Sequence, residues 1–229
     1  MDRNPLRTVG ARALAALAPL LFSFAAPAAA LPLISEVFYD AVGSDDGLTF
    51  IELYGAPGTV LDGFSLEGVN GSNGAVGPVL TLTGSIPPGG LFVVADGASG
   101  TTSVANADLI LNFDFQNGPD SIVLRMGTSV LDAVGYGEFD PGEVFAGEGT
   151  PADDPPAGWS LARHFADVDT DDNALDFVAL EVPTPGAADL SVPEPAAGPL
   201  VAGGLLVLGV LRRRRGPDGS RGALRPRSG

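Results

Sequence analysis

The sequence predicts an all-β domain, an antiparallel sandwich or barrel without long helices. Three observations support this prediction. The central part of the chain, residues 31–191, consists of short apolar or alternating runs, each bounded by Gly, Pro, Asn or Asp. The 32 glycines and 20 prolines are above average usage, which suits strands joined by tight turns. No amphipathic run of helical period stands between the apolar runs.

About nine short strands are expected, at a spacing of roughly 8 to 12 residues, followed by a last strand near the end of the domain. The candidates are residues 33–39, 48–54, 63–66, 79–82, 91–95, 109–113, 121–125, 130–136, 159–161 and, last, 175–180. Asn70-Gly71 and Asn73-Gly74 predict a hairpin loop. The side chains expected in the core are Phe64, Leu66, Leu91, Val93, Ile122, Leu124, Val134 and Trp159.

Two glutamates interrupt otherwise apolar strands. An unpaired carboxylate is costly to bury. We therefore expect Glu36 and Glu52 to face solvent or to pair with Arg163 or Arg125.

The amino-terminal end has the three parts of a secretory signal peptide. Arg3, Arg7 and Arg12 precede an apolar run from residue 13 to 26, and Ala28, Ala29 and Ala30 supply the small residues of a cleavage site. We predict a signal peptide of residues 1–30, cut after Ala30, with Ala28 and Ala30 read by the peptidase. A membrane anchor is the alternative, but a run of about 14 residues is short of the roughly 20 that span a bilayer.

The carboxy-terminal end combines a short motif, an apolar segment and a basic cluster. The motif is Val192-Pro193-Glu194-Pro195, the segment is 196–211, and the cluster is Arg212, Arg213, Arg214 and Arg215. We predict a transmembrane helix over 196–211 with the basic tail 212–229 in the cytoplasm. The combination resembles the PEP-CTERM sorting signal of bacteria, which implies recognition by an exosortase, a membrane transpeptidase, and cleavage near Pro-Glu-Pro. Plain membrane tethering is the alternative.

The charge of the presumed mature domain, residues 31–191, restricts its partners. The whole chain carries a formal charge of -16, but this segment has 25 Asp and Glu against Arg125 and Arg163, which gives -23. Nucleic-acid binders need a cationic face, so we expect no nucleic-acid partner. The chain has no cysteine, which excludes disulfides, thiolate zinc sites and cysteine nucleophiles.

The order of several short motifs resembles the lamin tail domain, a family widespread in secreted bacterial proteins. The likeness covers nearly all of residues 32–188 and is carried by Leu33-Ile34-Ser35-Glu36-Val37, Phe50-Ile51-Glu52-Leu53-Tyr54, Leu61-Asp62-Gly63-Phe64-Ser65-Leu66, Ile86-Pro87-Pro88-Gly89-Gly90, Asp120-Ser121-Ile122-Val123-Leu124, Asp132-Ala133-Val134-Gly135-Tyr136-Gly137, Gly158-Trp159-Ser160-Leu161-Ala162-Arg163, Asp169-Thr170-Asp171-Asp172-Asn173 and Pro183-Thr184-Pro185-Gly186. This resemblance implies an immunoglobulin-like β-sandwich.

Catalytic patterns are not found in the chain. His164 is the only imidazole, and there is no Gly-x-Ser-x-Gly elbow. Without lysine, a phosphate-binding loop of the Gly-x4-Gly-Lys type cannot form. A carboxylate pair could serve a glycosidase, but acidic residues are so abundant that such a pair carries no signal. We therefore expect a protein that is not an enzyme, and an enzyme acting on polysaccharide is the weaker alternative.

One acidic segment is a candidate calcium site. Asp167, Asp169, Asp171 and Asp172 offer alternating carboxylates on a short loop, and calcium prefers oxygen ligands. An EF-hand is excluded because Asp172 stands where that loop requires Gly and Val178 where it requires Glu. The alternative is a turn, residues 169–173, whose side chains cap backbone amides before the last strand. No other cofactor is expected.

These observations predict a non-catalytic binding or structural module, exported and displayed on the cell envelope, the outer surface or in the extracellular matrix. The expected partners are an exosortase-type processing enzyme, the membrane through the carboxy-terminal helix, and an unknown protein or polysaccharide ligand. The acidic loop, residues 137–156, is the candidate contact surface. A calcium-stabilised adhesion domain is the alternative function.

Overall fold

The structure, a computed structural model, describes residues 31–191, which form ten strands and one single-turn helix. The elements are β1 Leu33–Phe38, β2 Phe50–Tyr54, β3 Phe64–Asn70, β4 Val76–Thr81, β5 Leu91–Asp96, β6 Ala107–Leu111, β7 Asp120–Met126, β8 Ser129–Tyr136, β9 Ser160–Arg163, α1 Asn173–Asp176 and β10 Phe177–Leu180. Within the described range no helix is long and apolar enough to cross a membrane. The predicted signal peptide, transmembrane helix and basic tail lie outside the described residues.

The strands form two sheets. One has six strands in the order β10-β9-β1-β2-β5-β6, and the other has four in the order β4-β3-β7-β8. The prediction of an all-β domain is confirmed for residues 31–191, apart from one helical turn, but the expectation of purely antiparallel pairing is wrong at one edge, where β6 runs parallel to β5. A parallel neighbour needs a crossover connection, and an irregular loop over 97–106 supplies it here without a helix. That loop has no sequence pattern typical of a crossover.

The two sheets share one hydrophobic core. Its buried members include Ile34, Val37, Ile51, Leu53, Phe92 and Val94 from the six-stranded sheet and Phe64, Leu66, Leu80, Ile122, Leu124 and Val134 from the four-stranded sheet. Burial of each such side chain stabilises the fold by about 1.5 to 3 kcal/mol. Strand β5 packs Phe92 and Val94 into this core, whereas we predicted Leu91 and Val93. The run 91–95 is apolar throughout, so its sequence has no alternation from which to read the inward face.

Two of the predicted core residues are less buried than expected. Leu91 and Trp159 are only half-buried; Leu91 is the first residue of β5, and Trp159 directly precedes β9. Val93 is buried, at 1% exposure, but it lies outside the core cluster because it is paired with Glu52 on the opposite face of the sheet. The period of a strand is two residues, so an error of one residue changes the face.

Candidate functional site

Three of the four aspartates predicted to bind calcium have different hydrogen-bond partners in the structure, and the fourth, Asp171, faces solvent. Asp167 accepts hydrogen bonds from the backbone amide and the hydroxyl of Ser191, at 2.6 and 2.5 Å. Asp172 is the N-cap of α1. Asp171 is exposed and has a positive φ of 56°. Asp169 accepts from the amide of Asp171 at 3.1 Å. The side chains of Asp167, Asp169 and Asp172 thus accept hydrogen bonds from nearby backbone amides. Of the four aspartates, only Asp169 also joins a group of acidic side chains that is described next.

That group surrounds Arg163, a residue whose side chain is fully buried. The guanidinium donates to Asp132 at 2.8 Å, to Asp176 at 2.7 Å and to Asp169 at 3.3 Å. It also donates through Nε to the carbonyl oxygen of Ile34 at 3.0 Å. A buried charge is tolerated only when it is paired and hydrogen-bonded, and these contacts meet that condition. The network joins β1, β8, β9 and α1, so Arg163 holds the two sheets together at this end.

Glu148 lies next to this network and is less well satisfied. Its Oε2 is buried and has no hydrogen-bond partner among the described residues. The pKa of Glu148 is raised to about 8. Burial is the main cause, and the negative charges of Asp132 and Asp169 add to it. Glu148 is therefore largely protonated at neutral pH.

Carboxylate oxygens of Asp132, Glu148 and Asp169 lie within 4.8 Å of one another, close enough to share a metal ion. Oxygen donors of this kind suit calcium. However, the Arg163 guanidinium already contacts two of the three carboxylates. A bound cation would have to share these oxygens with a fixed positive charge. The sequence pattern indicated Asp169 but not Asp132 or Glu148, because these two residues come from β8 and from the acidic loop.

The expectation for Glu36 and Glu52 is wrong. Both are buried, at 1% and 0% exposure, and they lie directly opposite each other on the face of the six-stranded sheet turned away from the core. The segment that follows β10, residues 182–191, covers that face, and we call it the strap. Glu36 accepts from the amide and hydroxyl of Thr184 at 2.9 and 2.7 Å, and Glu52 accepts from the amide of Gly186 at 2.6 Å.

The carboxylates also take hydrogen bonds from the sheet itself. Ser160 donates to Glu36 at 2.5 Å and Ser35 donates to Glu52 at 2.8 Å. Burial raises the pKa of Glu52 to about 7, against the opposing effect of its hydrogen bonds from Ser35 and Gly186. Both glutamates therefore bind the strap, through hydrogen bonds to its amides rather than ion pairs with arginine.

Further contacts hold the strap along its length. The Asn106 side chain donates to the carbonyl oxygen of Pro185 at 2.7 Å, and the amide of Ala166 donates to the carbonyl oxygen of Asp189 at 2.8 Å. Gly186 has a φ of +87°, and a side chain there would overlap Asn106. The strap is attached as far as Ser191, the residue before the predicted sorting motif.

The acidic loop, residues 137–156, is folded against the four-stranded sheet. The amide of Val144 donates to the carbonyl oxygen of Gly71 at 2.7 Å, and that of Ala146 donates to the Ser121 hydroxyl at 3.1 Å. Ala146 packs against a second small core on the outer face of this sheet, formed by Val69, Val123 and Ala133. The loop is therefore a built part of the domain, which its composition did not indicate.

The Asn173 side chain hydrogen-bonds backbone groups on the outer edge of β8, next to this loop. Its side-chain oxygen accepts from the amides of Gly135 and Glu148, at 2.8 and 2.9 Å, and its amide group donates to the carbonyl oxygen of Ala133 at 2.8 Å. The side chain is fully buried. It takes the place of a neighbouring strand, because it satisfies one donor and one acceptor of the strand edge.

A groove of about 1190 Å³ opens between the two arms of the acidic loop and the turn at Pro119. We call it the loop groove, and its principal side chains are Pro119, Glu138, Phe139, Phe145, Pro151, Asp153 and Asp154. The rings of Phe139 and Phe145 meet edge to face, with centroids 5.2 Å apart and an interplanar angle of 72°. The three carboxylate residues are exposed. The loop groove thus combines an aromatic floor with an acidic rim.

Other predicted site residues lie outside the described range. They are the cleavage residues Ala28 and Ala30, the motif Val192-Pro193-Glu194-Pro195 and the cluster Arg212 to Arg215. Among the described residues, the single histidine, His164, is exposed on the surface.

Comparison with protein-family models found no match, and neither did comparison with curated proteins. The resemblance to lamin tail domains and to PEP-CTERM signals therefore rests on the motifs quoted above.

Proposed function

We propose that residues 31–191 form an immunoglobulin-like, lamin-tail-like binding module that is displayed outside a bacterial cell and is not an enzyme. The observation that supports this most is the acidic loop, which is held against the four-stranded sheet by hydrogen bonds and buried side chains. A loop fixed in this way presents the loop groove in a preformed shape, which lowers the entropy lost on binding. Rigid scaffolds that carry binding loops at one end are common among β-sandwiches.

The destination of the module is proposed from its two ends. The signal peptide over residues 1–30 directs export, and the segment 192–229 is recognised by an exosortase-type enzyme while its apolar part holds the chain in the membrane. Because the strap is attached up to Ser191, the folded domain ends in the sequence at the residue before the predicted sorting motif. The ligand on the outside is a protein or polysaccharide of the envelope or matrix.

Expression of the full chain in a Gram-negative bacterium that has an exosortase tests this proposal. We expect a mature amino terminus at Leu31 by mass spectrometry, labelling of intact cells by antibody, and retention of the processed chain in the matrix. A matched variant in which Arg212 to Arg215 become Gln changes only the sorting segment and should accumulate unprocessed. Retention of Met1 in a cytoplasmic chain would refute export, and quantitative release into the medium would refute a matrix-binding role.

A calcium-stabilised adhesion domain is the second candidate, favoured by the proximity of Asp132, Glu148 and Asp169. The test compares melting temperatures of the full chain in chelator and in about millimolar calcium, the affinity range of extracellular sites. This candidate predicts a rise of several degrees that Glu148→Gln and Asp169→Asn abolish. Asp171→Asn is the matched control, because Asp171 lies outside the group. An unchanged melting temperature would remove the candidate.

A further inference from the structure

We propose that the loop groove binds a basic peptide segment, with guanidinium or ammonium groups placed between its phenylalanine rings and its carboxylates. The inference rests on the proposed function, since it names the partner chemistry of the same loop. Phe139 and Phe145 provide the aromatic surface, and Glu138, Asp153 and Asp154 stand at the rim. The faces of aromatic rings attract cations, and an Arg side chain can stack on a ring while it forms paired hydrogen bonds with a carboxylate.

The position of the groove side chains is fixed by the fold. Phe145 is seated on Gly135 of β8, where any side chain would overlap the ring. Asp154 is held by the Tyr39 hydroxyl, which donates to its Oδ1 at 2.5 Å, and Tyr39 in turn stacks on Tyr136 with ring centroids 4.1 Å apart. The aromatic floor and at least one rim carboxylate are therefore in place before a ligand arrives.

The charges of the domain favour a cationic ligand over other classes. Within residues 31–191 the only Arg or Lys residues are Arg125 and Arg163. Arg125 pairs with Glu67 at 2.7 Å, and Arg163 is buried in its own network. Neither residue lines the loop groove, so its three carboxylates have no described arginine or lysine as a partner. Because the domain has a formal charge of -23, phosphorylated and other polyanionic ligands are repelled.

The experiment measures binding of a fluorescent hexa-arginine peptide to the full chain in detergent by anisotropy, at about 150 mM salt so that long-range attraction is screened. Phe139→Leu keeps apolar contact with Phe145 but removes the ring, and we expect binding about three- to tenfold weaker. Asp153→Asn should have a loss of similar size. The melting temperature of each variant shows that it remains folded.

Asp62→Asn is the matched control. Asp62 is exposed and precedes β3. Strand β3 begins at Phe64, which pairs with Met126, and ends at Asn70, which pairs with Asp120 next to Pro119 of the groove. Asp62 therefore lies at the end of the four-stranded sheet opposite the groove. This variant should bind the peptide within about twofold of the wild type. Equal losses in Asp62→Asn and Asp153→Asn would mean binding by the overall field and would overturn the proposal, as would a Phe139→Leu variant with unchanged affinity.

Three further outcomes separate this proposal from the proposed function. A neutral β-linked glucohexaose that binds in a Phe139-dependent manner, while hexa-arginine does not, would overturn the basic-peptide proposal in favour of carbohydrate. If hexa-arginine fails to bind but the chain is exported and retained in the matrix, the partner chemistry is wrong and the surface module stands. If the chain stays in the cytoplasm, the proposed function itself fails, whatever the peptide does.

Discussion

Replacement of Glu52 by Gln should remove the pH dependence that Glu52 gives to the stability of the domain, so that the variant is less stable than the wild type at low pH and more stable at high pH. Glu52 is fully buried beneath the strap and lies opposite Glu36, with its two oxygens accepting from Ser35 and from the amide of Gly186. Glutamine has a similar shape but cannot ionise, and it has one acceptor oxygen instead of two. The substitution therefore separates the cost of the buried charge from the hydrogen bonds that hold the strap.

The magnitude follows from the change in pKa. Burial raises the pKa of Glu52 from 4.5 to about 7, so the folded state holds a proton between these values that the unfolded state has lost. The stability that Glu52 contributes is therefore fully present below pH 4.5 and is lost as the pH rises to about 7. At about 1.4 kcal/mol per pKa unit, the loss due to Glu52 is about 3 kcal/mol. The variant avoids this loss but gives up one hydrogen bond, worth about 1 to 2 kcal/mol at every pH.

Urea denaturation at pH 4.5, 6 and 8 measures both effects. We expect Glu52→Gln to be less stable than the wild type at pH 4.5 and more stable at pH 8. The difference in free energy of unfolding between variant and wild type should change by about 3 kcal/mol from pH 4.5 to pH 8. Glu67→Gln is a matched control because Glu67 lies near the surface and pairs with Arg125, and the loss of this ion pair should not make the variant more stable than the wild type at pH 8. Parallel stability curves for the wild type and Glu52→Gln would refute the assignment of a buried, protonatable carboxyl group beneath the strap.

Two other substitutions test the contacts that organise the domain. Arg163→Met leaves the fully buried Asp132 without its counter-charge. Urea denaturation should show a free energy of unfolding lower by about 3 to 5 kcal/mol, and a loss below about 1 kcal/mol would contradict the network. Asn173→Ala leaves the Gly135 amide and the Ala133 carbonyl oxygen without the Asn173 side chain as a partner. The free energy of unfolding should fall by about 2 to 5 kcal/mol, and hydrogen exchange at the Gly135 amide should become faster. Unchanged exchange at Gly135 would contradict the role of Asn173 at the β8 edge.

Much of the secondary structure could be predicted from local sequence. Each of the ten strands overlaps one of the ten apolar or alternating runs, because Gly, Pro, Asn and Asp mark the turns between them. The boundaries of some strands were wrong by several residues, as in β3, which extends to Asn70 rather than Leu66. The helical turn α1 and the direction of β6 were missed, because a single turn has no periodicity and a parallel edge depends on the path of the preceding loop.

The candidate site could be predicted only in part. The acidic loop and the group of aspartates at 167–172 are visible as composition, and the structure assigns different partners to these aspartates. Asp132 and Glu148 could not be connected with Asp169, since they are far apart in the chain and meet through β8 and the docked loop. The pairing of Phe139 with Phe145 at 5.2 Å likewise needs the folded loop.

By itself, the sequence determined the all-β class, the positions of most turns and the strongly acidic charge of the domain, because these depend on residue type and on spacing along the chain. Only the tertiary structure decided that Glu36 and Glu52 are buried acceptors for the strap, that Arg163 serves three aspartates, and that the acidic loop forms a groove. These features depend on which distant segments come together. A carboxylate can be buried only where folded neighbours replace the hydrogen bonds of water, and the sequence does not show those neighbours.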